Sequence, residues 1–155
     1  MLSKSRGTEM TSGDGFDLER FVTAQQPVFE TVLAELRAGR KRSHWMWFVF
    51  PQLRGLGQSS TARYYGIASL EEARAYLAHP LLGPRLDLCA RVVLGSEGPS
   101  LRAIFGSPDD MKFRSCMTLF SMVTDDPTNP FREALDRWCG GLPDERTLAL
   151  VDASG

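Results

Sequence analysis

Arg40, Lys41, Arg42, Ser43 and His44 stand in one unbroken run, followed at once by Trp45, Met46, Trp47, Phe48, Val49 and Phe50. Cations set directly against large apolar side chains suit a site that holds a negative group beside a ring. A helix opening at Ser43 would aim free N–H groups and the positive end of its dipole at that group. Arg40, Lys41, Arg42, Ser43 and His44 would then grip a phosphate, pyrophosphate or carboxylate, while Trp45 or Trp47 stacks on the ring. Trp45, nearer the cations, is the expected site ring. The alternative is a solvated basic loop whose aromatic tail is plain core.

A second group lies at Asp109, Asp110, Lys112, Arg114 and Ser115. Asp109 is the candidate catalytic residue, because a carboxylate is what glycosidic or hydrolytic chemistry needs. Lys112 would assist with phosphates. In the plainer reading Asp109 answers a helix dipole, and Asp110 pairs with Arg114 one turn on. Gly55-Leu56-Gly57-Gln58-Ser59-Ser60 sets two glycines before a helix start, which is how an anion nest begins. It lacks the third glycine of a dinucleotide fingerprint and the Gly-Lys-Ser of a phosphate loop, so it reads as a simple loop.

Other chemistries find little support. Cys89, Cys116 and Cys139 are odd in number, far apart and set among apolar residues. They read as small buried hydrophobes of a protein in a reducing compartment, the cytoplasm. With His44 and His79 the sole histidines, neither a metal site nor a cofactor is expected. A net charge of −1 supplies no global field for nucleic acid or an acidic membrane, so any anion site must be local. No apolar run approaches the roughly 20 residues of a membrane helix.

The elements that must position these residues are helical. At 155 residues, 43% apolar and 24% charged, the chain fits one domain. Residues 1–14 are polar and read as a disordered tail; residues 15–155 form the domain. Asp17 is the expected cap of a first helix. Pro27 suits the first turn of a second, with Val28, Val32, Leu33 and Leu36 on one face and Gly39 as its stop. Ser60 is placed as the cap of a short helix, and Ser69 with Glu72 as a capping box. Pro80, Ser100, Ser107-Pro108, Asn129-Pro130 and Asp144 each open a further helix. His44–Phe50 fits a short helix between Ser43 and Pro51, with a buried strand as the alternative. The expectation is an all-α single domain of about eight helices.

At this level a resemblance is legible. The Lys-Arg-Ser-His-Trp-Met-Trp-Phe-Val-Phe-Pro-Gln block, Leu-Gly-x-Arg-Leu at 82–86 and Pro-Asp-Asp-x-Lys-x-x-Ser-Cys-Met-Thr-Leu-Phe at 108–120 resemble the bacterial domain-of-unknown-function family 1810, from Asp17 to Val151. The resemblance implies a small α-helical cytosolic protein and no settled activity. Asp109–Phe120 is also similar to the Asp-x-x-x-Lys-x-x-x-Met helix of the NADAR family of NAD and ADP-ribose metabolism, although that family's Glu-His-Tyr stretch has no clear counterpart here. This second resemblance implies a nucleotide-like small-molecule partner, such as ADP-ribose or a ribosylated base. It also implies N-glycosidic hydrolysis, with Asp109 stabilising charge at the anomeric carbon. The contrasting reading is a non-catalytic interaction domain.

Overall fold

The computed structural model describes residues 15–154, so the tail expected at residues 1–14 lies outside the described residues. The fold is all-α, with ten helices among the described residues rather than about eight. They are α1 (Glu19–Gln25), α2 (Phe29–Arg37), α3 (Met46–Val49), α4 (Ser60–Tyr64), α5 (Leu70–Ala78), α6 (Leu82–Leu94), α7 (Leu101–Phe105), α8 (Asp109–Ser121), α9 (Pro130–Trp138) and α10 (Glu145–Ser154). The His44–Phe50 segment contains a single helical turn, not a strand. The chain's extended pairing among the described residues is one isolated parallel bridge, Leu53 with Ile67.

Helix α8 is the axis of the core. Phe113, Cys116, Met117, Leu119 and Phe120 are all buried, and so are Ser115 and Thr118. A helix buried on nearly every side belongs at the centre of a domain. Its hydroxyls are satisfied within the helix, Ser115 Oγ donating to the Met111 carbonyl and Thr118 Oγ1 to that of Arg114. Around it pack α5, α7, α9 and α10, and α6 lies across α5, α9 and α2. Gly83 explains the Leu-Gly-x-Arg-Leu motif. A Cβ there would sit 2.0 Å from the Leu77 carbonyl oxygen, so only glycine lets α6 start this close to α5.

Several helix starts differ from the sequence expectation. Asp17 does not cap α1; Leu18 holds that position without a side-chain bond. Ser59, not Ser60, caps α4. Ser69 accepts from the Glu72 N–H as expected, but the Glu72 carboxylate turns to the Ala68 N–H, at 2.7 Å. That turn lets its other oxygen pair with Arg20 at 3.0 Å in a nearly water-free setting. Arg20 also donates to the carbonyls of Tyr64 and Gly66, so one guanidinium ties α1 to the α4–α5 connection. Ser107 makes no cap; Pro108, after a cis Ser107–Pro108 peptide, takes the position before α8. Ser100, Asn129 and Asp144 cap α7, α9 and α10 as expected.

Of the two tryptophans in the aromatic block, Trp45 belongs to the core at 1% exposure, in ring contact with Phe50, which packs in turn on Phe105 and Phe113. Trp45→Ala is therefore expected to cost about 3–5 kcal/mol in urea unfolding, the usual penalty for emptying a large buried site. The half-buried Trp47 should cost clearly less. Equal losses at both positions would contradict this division.

Candidate functional site

The basic junction is built by the end of α2. Gly39 has a positive φ of 76° and turns the chain out of that helix. The Lys41 N–H then donates to the Ile104 carbonyl at 2.7 Å, pinning the loop to α7. Beneath the loop lies Glu35, buried in the last turn of α2. Its Oε1 accepts from the backbone N–H groups of Arg42 at 2.7 Å and Ser43 at 3.0 Å, and from Trp45 Nε1 at 2.9 Å. Its Oε2 accepts from Ser43 Oγ at 2.5 Å. Burial pushes the carboxyl pKa up, but the donors from Ser43, Arg42 and Trp45 outweigh it and hold the group at about 2.

This corrects the expectation for Arg42 and Ser43. The junction does hold an anion, but the anion is the protein's own. The N–H groups expected to face a phosphate face Glu35, and the first residue of α3 is Met46 rather than a position next to Ser43. The side chains of Arg40, Arg42 and His44 are exposed on the outer surface. Trp45 is walled into the core with its indole N–H committed, so it presents no ring face to a ligand.

The remaining expected residues do come together. Lys41 Nζ lies 5.1 Å from the Trp45 ring centre and 2.9 Å from Asp109 Oδ2. Asp109 Oδ1 lies 3.4 Å from Lys112 Nζ, which is 4.7 Å from the centre of the Trp47 ring. The result is a ladder: tryptophan, lysine, aspartate, lysine, tryptophan. Both Asp109 oxygens are engaged by ammonium groups.

Beyond Trp47 and Lys112 opens a cleft of about 360 Å³. That volume is at the small end of ligand-binding sites. One wall is the loop after the aromatic block, with Gln52, Leu56, Gly57 and Ser59; the opposite wall is the first turns of α8, with Met111 and Ser115. The third is the start of α10, with Asp144 and Arg146. Arg146 donates to the Leu56 carbonyl at 3.1 Å, so α10 braces the loop across the cleft. Asp109 is not among the lining residues and reaches the cleft through Lys112. Gln52, Asp144, Arg146 and Glu35 are missed by sequence reasoning. Asp144 reads there as a cap alone, and Glu35 as one more polar residue of an amphipathic helix. The Gly55–Ser60 loop, read as a simple connection, supplies a wall.

No cysteine lines the cleft. Cys89 and Cys116 are buried, and burial pushes the Cys89 thiol up to about 12 and that of Cys116 well above its ordinary value. No helix among the described residues is long and apolar enough to cross a membrane.

The Glu35 geometry predicts a pH dependence. The folded carboxyl titrates at about 2 and the ordinary value is 4.5, so its stabilisation is complete above pH 4.5 and is lost as pH falls toward 2. At about 1.4 kcal/mol per pKa unit this is on the order of 3 kcal/mol. Glu35→Gln, which sets an amide NH2 against existing donors where an acceptor stood, should be less stable at pH 7 and should flatten the stability curve in that acid window. Urea unfolding at a series of pH values would show it; identical curves for both proteins would contradict the role given to Glu35.

None of the curated proteins compared with the chain matches it. Among solved structures it is similar to the conserved hypothetical protein Rv1873 from Mycobacterium tuberculosis, with 58% identity over 90% of this chain and 99% of that one, at a TM-score of 0.87. That protein's description carries no activity. The model of the family described as protein of unknown function, DUF1810, matches residues 15–151, from the residue after the expected tail to the last turns of α10, and the chain belongs to that family.

Proposed function

We propose that the cleft beside Trp47 binds a nucleotide-like ligand, a mononucleotide or ADP-ribose. The observation that carries this reading is the placement of Lys112 Nζ 4.7 Å from the Trp47 ring centre, with both residues lining one cleft. A half-buried indole offers apolar area for a base, and an ammonium beside it offers charge for a phosphate. The Lys112–Asp109 contact of 3.4 Å is long for an ion pair, so a phosphate oxygen competes for that ammonium. Arg146 adds a second cation on the facing wall. The side-chain amides of Gln52 and Gln58 line the same space, and both donate and accept.

Roles shift accordingly. Lys112 and Trp47 bind. Lys41 and Asp109 position Lys112 from behind. Arg40 and Arg42 contribute outer positive field and His44 lies exposed beside them, while Ser43 and Trp45 serve the Glu35 anchor. Within this reading, hydrolysis of an N-glycosidic bond would need a carboxylate facing the anomeric carbon; Asp109, with both oxygens in ion pairs, is poorly placed for it.

A ligand that binds the folded state at a hundredfold above its dissociation constant adds roughly 2.7 kcal/mol. At roughly 2–4 °C per kcal/mol the melting point should rise by about 5–10 °C with adenosine 5′-monophosphate or ADP-ribose, and by much less with inorganic phosphate. Lys112→Ala and Trp47→Ala should remove most of the rise, whereas Arg42→Ala should keep it. If saturating nucleotides leave every melting curve in place, the binding reading fails and a non-catalytic interaction domain takes its place.

A further inference from the structure

Resting on the cleft reading, we infer that Asp144 makes the site selective for a ligand with an anionic group at one end and a free ribose diol at the other. Asp144 lines the cleft, and its carboxylate is fixed rather than free to rotate. Oδ2 accepts from the Thr147 N–H at 2.9 Å and from Thr147 Oγ1 at 2.7 Å, and Thr147 is itself wholly buried. The Asp144 backbone is held as well, its N–H donating to Thr118 Oγ1 at 2.8 Å. Among the described residues Oδ1 has no hydrogen-bond partner. An oriented carboxylate with one oxygen uncommitted is an acceptor for hydroxyl groups.

Its place along α8 sets the ligand class. Lys112, Ser115 and Thr118 follow one another at intervals of three residues, so they share one side of that helix. At 1.5 Å per residue, the level at which Thr118 anchors Asp144 is roughly 9 Å beyond Lys112 along the helix. With Arg146 tied to the Leu56 carbonyl, the cleft is polarised, with an ammonium at the α8 N-terminal end and a carboxylate about two turns on. A 5′-phosphate at Lys112 leaves sugar hydroxyls to donate toward Asp144. A second phosphate at that end meets like charge instead. The same carboxylate that accepts from a diol thus rejects a nucleotide phosphorylated on it.

Isothermal titration of the full chain with three probes tests this: adenosine 5′-monophosphate, its 2′-deoxy analogue and adenosine 3′,5′-bisphosphate. The first should bind at least tenfold more tightly than either of the others. Asp144→Asn should erase the discrimination against the bisphosphate and weaken that against the deoxy compound. Asparagine caps a helix as well as aspartate does, so α10 should stay in place. The wild-type comparison alone decides the matter even if the variant does not fold. Equal binding of the monophosphate and its deoxy analogue by the wild type, or unchanged selectivity in Asp144→Asn, overturns the role of Asp144 and leaves the cleft reading standing. Failure of all three probes to bind overturns both.

Discussion

The buried carboxylate of Glu35 is the constraint on which the aromatic block depends. Four donors from Arg42, Ser43 and Trp45 converge on it, and they include the indole N–H of one tryptophan. Fixing Trp45 at this carboxylate fixes the start of α3. Trp45 turns into the core just ahead of that helix, whereas Trp47, on its second position, is half-buried and lines the cleft. One ring becomes structure and the other becomes cleft wall, although the two differ by only two places in sequence.

The electrostatics extend from that anchor. Lys41 leaves the same loop and points at Asp109, its ammonium also bonded to the Ser43 carbonyl. Asp109 shares its second oxygen with Lys112. Exposed ion pairs contribute little, but here the side chains of Lys41, Asp109 and Lys112 are 8%, 19% and 22% exposed, so the ladder is only partly screened. It couples the loop after α2 to the first turn of α8 and brings one cation to the cleft. Of a charge cluster that looks like a ligand grip from sequence, Lys41 and the Arg42 and Ser43 backbone are thus internal architecture, and the cation that lines the cleft is Lys112.

Much of the fold was legible from punctuation. Ser100, Asn129-Pro130 and Asp144 open helices where their side-chain chemistry says they should, and Gly39 ends α2. Failures occur where tertiary partners compete for a local donor or acceptor. Ser43 gives its hydroxyl to Glu35 rather than to a helix start, and Glu72 turns part of its capping box toward Arg20. Both partners are distant in sequence or unmarked by any motif. In the site, the residue types were readable and their division of labour was not. Lys112 and Trp47 emerged beside a cleft, whereas Trp45, Arg42 and Ser43 went to the core anchor. Gln52 and Arg146 carry no local signal, because they become neighbours only when α10 folds across the loop.

Glu35 meets the anion need of the basic loop, and the cleft opens at Trp47. Nitrogen-15 NMR of the tryptophan indoles during titration with adenosine 5′-monophosphate tests it most directly, since the Trp45 and Trp138 indole N–H groups are committed to Glu35 and to the Val93 carbonyl. The Trp47 indole signal should move with nucleotide while those of Trp45 and the Arg42 and Ser43 amides stay in place. Movement centred on the Trp45 indole and the Arg42–Ser43 amides, with Trp47 unchanged, would contradict it.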